Sequence, residues 1–364
     1  MRKFFRMGLL TLLFALMCAD FSGAYAQVVV FDEQIAENVW IDAAVELPTA
    51  AYATYRIEYD DLTLSSVLNA TALAERLFLD AKSEWTFSEN LDPQHREGAA
   101  YIQNESGEFI SANQTGRIVY MRQDRDLAYE RAVNYMMKDH FERTQGERSA
   151  NHGELNFLSR EQAIELANSL ADDMAQACGL SVELVDCMTI SHAQLKAFSP
   201  LPPSLDDQTA EQYMAGWGEE KDGYVLLYRL NQDGLPICYE YQPGFIMTGQ
   251  HKTTARSLEI IMRISREGIE YIHAQLGSLE RLQAAEAIIT PEEAVAHLKR
   301  HYDRLDVDEA VIIEAMCLQY LPVKISRSFS EGEMMPVWYC LIGNDGGFTP
   351  NVILMNAFTG DVLK

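Results

Sequence analysis

Apolar and polar residues follow the same helical pattern at two points of the chain. The first is residues 158–163 (LSREQA) and the second is residues 289–294 (ITPEEA). Each has an apolar residue, then a hydroxyl residue, then Gln or Glu three positions later, which is a capping box preceded by a hydrophobic staple. Both motifs therefore predict the start of a helix, and Pro291 suits the first helical position, where a missing N–H costs nothing.

Each predicted helix is followed by apolar runs that are typical of strands and that occur in the same order. In the upstream segment these runs are 182–190, 235–239 and 258–264, and in the downstream segment they are 310–323, 335–339 and 352–358. A Gly turn follows the last run of each segment, at Gly268 and Gly360. Recurrence in a fixed order indicates a repeat. We therefore predict two copies of one unit, a helix followed by a three- or four-stranded antiparallel meander.

The first third of the chain shows a similar order with weaker matches. Strand patterns at 40–48 and 52–59 are followed by a predicted helix over 70–81 and a meander at 99–103, 108–112 and 117–122. A further helix over 126–142 carries Tyr129, Val133, Met136 and His140 on one side. The predicted fold class is α+β, built of tandem modules that each place one helix on a three- to four-stranded antiparallel sheet.

The predicted organisation has four parts. Residues 1–26 form a signal peptide, because Arg2, Lys3 and Arg6 precede an apolar run and Ala24-Tyr25-Ala26 offers a cleavage site. Residues 27–150 form an N-terminal domain, residues 151–276 a module with a long insertion at 197–223, and residues 277–364 the last module. Lipidation at Cys18 is the alternative to cleavage near Ala26, but the bulky Met17 disfavours it. We expect an exported protein, secreted or in the cell envelope, with no membrane span in the mature chain.

Charge narrows the class of partner. The chain has 29 basic and 54 acidic residues, a formal net charge of −25. Such a surface repels nucleic acid and anionic membranes, which both require cationic contacts. The acidity is interpreted as a solubility feature; the alternatives are a basic peptide or protein partner, or loosely held divalent cations.

Five cysteines remain after the predicted cleavage. Two readings stay open: disulfides that pair Cys317 with Cys340 and Cys178 with Cys187, or buried thiols, which also include Cys238. No C-x-x-C spacing occurs, so neither a redox centre nor a zinc site is predicted.

No local catalytic, nucleotide-binding or metalloprotease motif is present, and we predict no catalytic residue, cofactor or metal. His297 and His301 are weak candidates for metal ligands, since they stand four apart on a predicted helix. His140 and His152 flank a loop without nearby cysteines or clustered acids, and both are interpreted as ordinary surface or half-buried histidines. Trp217 lies in the insertion, where it is either an exposed binding contact or a side chain tucked onto the sheet.

The last module resembles PepSY-type domains. The resemblance rests on residues 289–294, on Pro336-Val337-Trp338-Tyr339, and on the closing stretch 353–362 with its Thr359-Gly360 turn. It implies a PepSY/cystatin-like fold and an exported, non-catalytic protein that binds or inhibits an extracytoplasmic protein or peptide, and it assigns no functional residue. Two alternatives remain: an extracytoplasmic hydrolase with a non-local site drawn from His297, His301 and the acids at 303–308, or a passive cell-surface spacer.

Overall fold

The fold is given by a computed structural model of the 364-residue chain. The residues that the structure describes are 28–46, 51–59, 86–90, 99–103, 108–113, 116–122, 127–142, 151–198, 214–239, 258–323, 331–343 and 351–363. The predicted signal peptide, the predicted helix over 70–81 and most of the insertion lie outside these residues.

Four α-helices occur in the described part of the chain: α1 (Leu127–Glu142), α2 (Arg160–Ala177), α3 (His192–Phe198) and α4 (Pro291–Tyr302). Both predicted capping boxes are confirmed. The Ser159 side chain accepts the Gln162 N–H at the start of α2, and the Thr290 side chain accepts the Glu293 N–H at the start of α4. In both cases the side chain at the third helical position accepts a hydrogen bond from the backbone N–H of the cap residue, so local sequence specifies these two helix starts.

Sheet 1 combines strands from the two ends of the chain. Its order is β1-β2-β14-β15-β3-β13, with β16 also paired to β15. β14 runs parallel to β2 and the other pairs are antiparallel. Its strands are β1 (Val28–Ala36), β2 (Val39–Glu46), β3 (Tyr55–Glu58), β13 (Ser278–Arg281), β14 (Val311–Val323), β15 (Glu331–Gly343) and β16 (Asn351–Asn356).

Sheet 2 is antiparallel and combines the N-terminal meander with the middle segment. Its order is β10-β9-β11-β12-β7-β6-β5-β4, with β8 on the other side of β9. Its strands are β4 (Thr86–Asn90), β5 (Ala99–Gln103), β6 (Phe109–Asn113), β7 (Arg117–Met121), β8 (Ser181–Ile190), β9 (Gly223–Gln232), β10 (Leu235–Pro236), β11 (Glu259–Ser265) and β12 (Gly268–Gln275).

The predicted fold class is therefore wrong. Helix-then-meander order does occur in both segments, as α2-β8-β9-β11 and α4-β14-β15-β16, with the middle strand of three in the centre each time. The meanders, however, are not small independent sheets. β12 pairs with β7, and β2 pairs with β14, so N-terminal strands extend both meanders into two large sheets. The molecule is mostly strands.

Helices cover both faces of sheet 2. Apolar side chains of α2, such as Ala167, Leu170 and Ala171, pack in the main core together with Leu226 of β9. A second core lies on the other face, where α1 and α3 meet the sheet; its members include Tyr129, Val133, Phe141, Met188, Leu195 and Leu227. Sheet 2 thus lies between α2 on one face and α1 with α3 on the other.

The two sheets are joined at the β9–β10 hairpin. Asp233 and Gly234 have φ of 51° and 77° at its tip, the left-handed conformation that a tight hairpin of this kind requires. There the Asp233 carboxylate accepts hydrogen bonds from the hydroxyls of Tyr55 and Tyr320, which belong to sheet 1. The Cys238 N–H then donates to the Tyr320 carbonyl at 2.8 Å.

All five cysteines in the part of the chain that the structure describes are free thiols. The register pairs Cys340 with Met316, so the Cys340 and Cys317 side chains lie on opposite faces of sheet 1. Burial raises the pKa of the Cys178 thiol to about 11, which agrees with the interpretation of this cysteine as a buried thiol. No helix in the described residues has the length and apolar character needed to cross a membrane.

Candidate functional site

Three side chains from distant parts of the chain meet beside α1. His140 is fully buried on α1, His152 is partly exposed on the loop 151–159, and Asp186 is nearly buried on β8. The Nε2 atom of His140 lies 2.9 Å from Asp186 Oδ2, and the Nε2 atom of His152 lies 2.8 Å from Asp186 Oδ1. Their ligand-type atoms all lie within 4.8 Å of one another. We refer to these three residues as the His–Asp–His cluster.

A β-bulge aims Asp186 at α1. The pairing of β8 with β9 shifts between Leu184, which faces Tyr228, and Asp186, which faces Leu227. Without the bulge, residues two apart share a face, and the carboxylate would lie on the α2 side with Leu184. The extra residue, Val185, moves Asp186 to the α1 side instead. Bulges often re-aim side chains in this way next to functional sites.

The first meander strand of the C-terminal segment, β14, also has a bulge but lacks the carboxylate. In β14 the register shifts between Ile313 and Ala315, at the matching position of the first meander strand. Ala315 thus occupies the place that Asp186 has in β8. A bulge therefore occurs in the first meander strand of both segments, whereas the carboxylate of the His–Asp–His cluster occurs only in β8.

Hydrogen-bond polarity determines the protonation of His140. The Ser191 N–H donates to Gln194 Oε1 at 3.0 Å, which fixes the orientation of that amide, and Gln194 Nε2 then donates to Asn151 Oδ1 at 3.3 Å. Asn151 Nδ2 must therefore face His140 Nδ1, at 3.1 Å, as a donor. His140 Nδ1 is then an acceptor, so its proton sits on Nε2 and is donated to Asp186 Oδ2.

Asp186 is satisfied by its protein neighbours. Oδ1 accepts from the Cys187 N–H at 2.7 Å and from the Arg160 guanidinium at 3.4 Å, and Oδ2 accepts from His140. Burial alone would raise the pKa of this carboxyl, but the contacts with His140 and His152 outweigh burial and lower the pKa to about 2. The carboxylate is therefore ionised at all physiological pH values.

His152 is held differently from His140. Its Nε2 atom is buried and close to Asp186 Oδ1, yet the direction of approach does not satisfy a hydrogen bond. His152 also lies edge-on to His140, with 5.7 Å between the ring centroids.

The cluster has the donor types of a transition-metal site but not the protonation state that such a site needs. Two imidazoles and a carboxylate suit zinc or nickel, which bind deprotonated ring nitrogens. Here Nε2 of His140 carries a proton, and turning it into a ligand requires reversing the Asn151 and Gln194 amides. The permanent cation of Arg160 also lies next to the same carboxylate. The arrangement links α1, the loop 151–159 and β8, and leaves the buried Nε2 of His152 without a satisfied hydrogen bond.

The sequence-predicted candidates do not come together. His297 and His301 are both half-buried on α4, and among the described residues neither joins a group of three ligand atoms. The ring of His297 packs against Gly360. The acids Asp303, Asp306 and Asp308 are exposed to solvent.

Trp217 is not an exposed contact. Only 3% of it is accessible, and its ring packs edge-on against Tyr129 of α1 at 5.9 Å between centroids. The reading in which this side chain is tucked onto the sheet is confirmed, and the reading as a surface contact is wrong.

The edges of the sheets differ in how far they are covered. Along β8 the loop 151–159 and the Arg160 side chain occupy the outer edge, where Arg160 Nε donates to the Cys187 carbonyl at 3.0 Å. The β16 edge is closed by the chain that follows, since the Leu363 N–H donates to the Leu354 carbonyl at 2.8 Å. Natural edge strands are commonly protected in these ways.

β1 is a long edge strand that the described residues do not protect in these ways. It is nine residues long and forms one end of sheet 1, and no strand in the described ranges pairs with its outer side. Lys299 Nζ donates to the Ile35 carbonyl at its far end, at 2.8 Å. Its solvent-facing side chains include Val28 and Val30, which are 41% and 68% exposed. The pattern of residues 28–36 did not reveal this strand, whereas β2 was predicted.

Comparison with known proteins adds information on the fold alone. No protein-family description matches the chain, and no curated protein is significantly similar in sequence. The structure is similar to the crystal structure of an uncharacterized protein from Eubacterium rectale ATCC 33656, with a TM-score of 0.61 and 13% sequence identity. The match covers 93% of both chains. The two-sheet architecture therefore occurs as a whole in another protein, and the match carries no statement about function.

Proposed function

We propose that this chain is an exported, non-catalytic binding protein that takes an extended segment of an extracytoplasmic protein or peptide as an added strand along β1. The observation that carries the proposal is the outer edge of β1, a nine-residue strand that pairs with no strand of the described residues on that side and on which Val30 is 68% exposed. An edge strand offers unpaired backbone N–H and C=O groups, and an incoming strand satisfies them while alternate side chains give specificity.

Two features of β1 support this choice of surface. The strand is fixed from behind, because Phe31 and Ile35 are buried in the main core and β2 pairs along its length. A partner therefore meets a preformed template, which reduces the entropy lost on binding. The exposed valines at its start add apolar contact beyond the backbone hydrogen bonds.

The proposal is tested by selecting binders from a displayed library of random nonapeptides against the immobilised mature protein. Enriched peptides are then measured against the double variant Val28→Ser/Val30→Ser and against a matched control, Leu282→Ser/Leu305→Ser, which changes exposed apolar residues elsewhere. We expect binding at least fivefold weaker to the β1 variant and unchanged binding to the control. The proposal fails if no peptide is enriched, or if enriched peptides bind the β1 variant as tightly as the wild type.

A further inference from the structure

The β1–β2 hairpin, residues 28–46, has an unusual charge distribution. It contains five acidic residues and neither Lys nor Arg. Four of the acids, Asp32, Glu33, Glu37 and Glu46, are exposed, and Asp42 is half-buried. Along β1 the acids follow the exposed valines, so the strand is apolar at its start and anionic at its centre.

Two of these acids face each other directly. Asp32 of β1 pairs with Asp42 of β2, and both side chains point away from the core. Side chains at paired positions lie about 4.5–5.5 Å apart at Cβ, and like charges there destabilise the pair. Other cross-strand acids differ in this respect: Glu183 of β8 contacts Arg229 of β9 at 2.8 Å, whereas Glu58 of β3 also faces an acid, Glu331 of β15. No basic side chain of the described residues forms an ion pair with Asp32 or Asp42, so the hairpin presents negative charge beside an edge that no described strand covers.

We infer that the segment docked on β1 is cationic, with Lys or Arg beside Asp32 and Glu33 and with apolar residues at alternate positions beside Val28 and Val30. This inference rests on the proposed function and names the chemistry of its partner. Asp32 and Glu33 lie on opposite faces of the strand, so basic residues on either face of an added strand meet a carboxylate. A basic segment thereby relieves the repulsion between Asp32 and Asp42.

A second copy of this chain is a poor occupant of the same edge. Antiparallel pairing of β1 with its own symmetry mate, centred on the middle residue of the strand, sets Asp32 against Asp32. The formal net charge of −25 adds general repulsion between copies. The charge pattern thus selects a basic partner over self-association.

The inference is tested with three labelled nonapeptides and the mature protein, by fluorescence anisotropy at 20 mM NaCl. The first alternates Val and Lys, the second alternates Val and Glu, and the third repeats the first with alternate backbone amides N-methylated. We expect the Val–Lys peptide to bind at least tenfold more tightly than the Val–Glu peptide. Its affinity falls about tenfold at 500 mM NaCl, because salt screens exposed charges.

The protein variant Asp32→Asn/Asp42→Asn provides the second arm. Each exposed ion pair is worth about 1.4- to 5-fold in affinity, so we expect about fivefold weaker binding of the Val–Lys peptide. The matched control Glu165→Gln/Asp172→Asn removes two exposed acids from α2 and leaves affinity within twofold. Both changes alter the net charge equally, so a difference between them locates the charge effect at the hairpin.

The outcomes separate the two claims. Equal binding of the Val–Lys and Val–Glu peptides, both weakened by N-methylation, overturns the cationic partner while leaving strand addition in place. Equal binding of the methylated and unmethylated Val–Lys peptides overturns strand addition. Absence of binding by any peptide up to 1 mM overturns the inference, as do equal effects of the two acid-removing variants. If the mature protein sediments as a dimer and the hairpin variant abolishes that dimer, the edge is assigned to self-association instead.

Discussion

Replacing Asp186 with Asn tests the description of the His–Asp–His cluster. The substitution preserves shape and keeps an acceptor for the Cys187 N–H, but it places an amide NH2 where Oδ2 accepts from His140. Because His140 carries its proton on Nε2, two donors then face each other in a buried site. An unsatisfied buried group costs about 1–3 kcal/mol, and loss of the charge also removes the partner of Arg160. We expect a loss of about 2–4 kcal/mol in the free energy of unfolding at pH 7.

The same substitution has a characteristic pH dependence. The folded-state pKa of Asp186 is about 2, against an ordinary value of 3.8, so the carboxylate contributes about 2 kcal/mol of stability above its unfolded pKa. This contribution is lost as pH falls through the folded pKa. The stability gap between the wild type and the Asn variant should therefore narrow by about 1.5 kcal/mol between pH 5 and pH 2.5.

The assay is urea unfolding of the purified protein, followed by tryptophan fluorescence across this pH range. The control is Asp172→Asn, an exposed acid on α2, which should change stability by less than about 0.5 kcal/mol. A gap at pH 7 below 0.5 kcal/mol, or a gap that does not change with pH, refutes the description of Asp186 as an ionised buried anchor.

Two further predictions concern the His–Asp–His cluster, and a third concerns the contact between Gly360 and His297. Long-range 15N–1H NMR of histidine-labelled protein should find the His140 proton on Nε2 at pH 7; a proton on Nδ1 contradicts the network. Addition of 100 μM Zn²⁺ should not raise stability, whereas a site with a dissociation constant near 1 μM would add about 2.7 kcal/mol. The substitution Gly360→Ala should destabilise by about 2 kcal/mol or more, because φ is +75° and a Cβ there would lie 2.3 Å from the His297 ring. In urea unfolding, the double variant with His297→Ala should recover only the part of the lost stability that is due to the clash. A Gly360→Ala variant as stable as the wild type would contradict this packing.

The sequence predicted what local interactions determine. The boxes at Ser159–Gln162 and Thr290–Glu293 are complete within four residues, and both helices begin where these motifs stand. The helix over 126–142 also agrees, because its apolar positions follow a 3.6-residue period. The strands of the N-terminal meander were also predicted from local signals, namely alternating apolar residues and turn residues.

Sheet assembly was not predictable in this way. The pair Val311–Val39 joins residues from opposite ends of the chain and is parallel, so neither hydrophobic pattern nor turn chemistry specifies it. The cluster was missed for a related reason. Asp186 sits in an apolar run that was interpreted as an ordinary strand, and only the bulge at Val185 turns it toward His140. Its one sequence signal was a carboxylate in the middle of a buried strand, which demands a partner.

Amide hydrogen exchange of β1 tests the central claim most directly. Exchange is measured on the purified protein alone and with saturating Val–Lys nonapeptide, and protection is compared for residues 28–36 and for the covered strand β8. The account predicts slower exchange at alternate residues of β1, whose N–H groups point away from β2, and no change in β8. Protection that is absent from β1, or that appears only elsewhere in the chain, would contradict it.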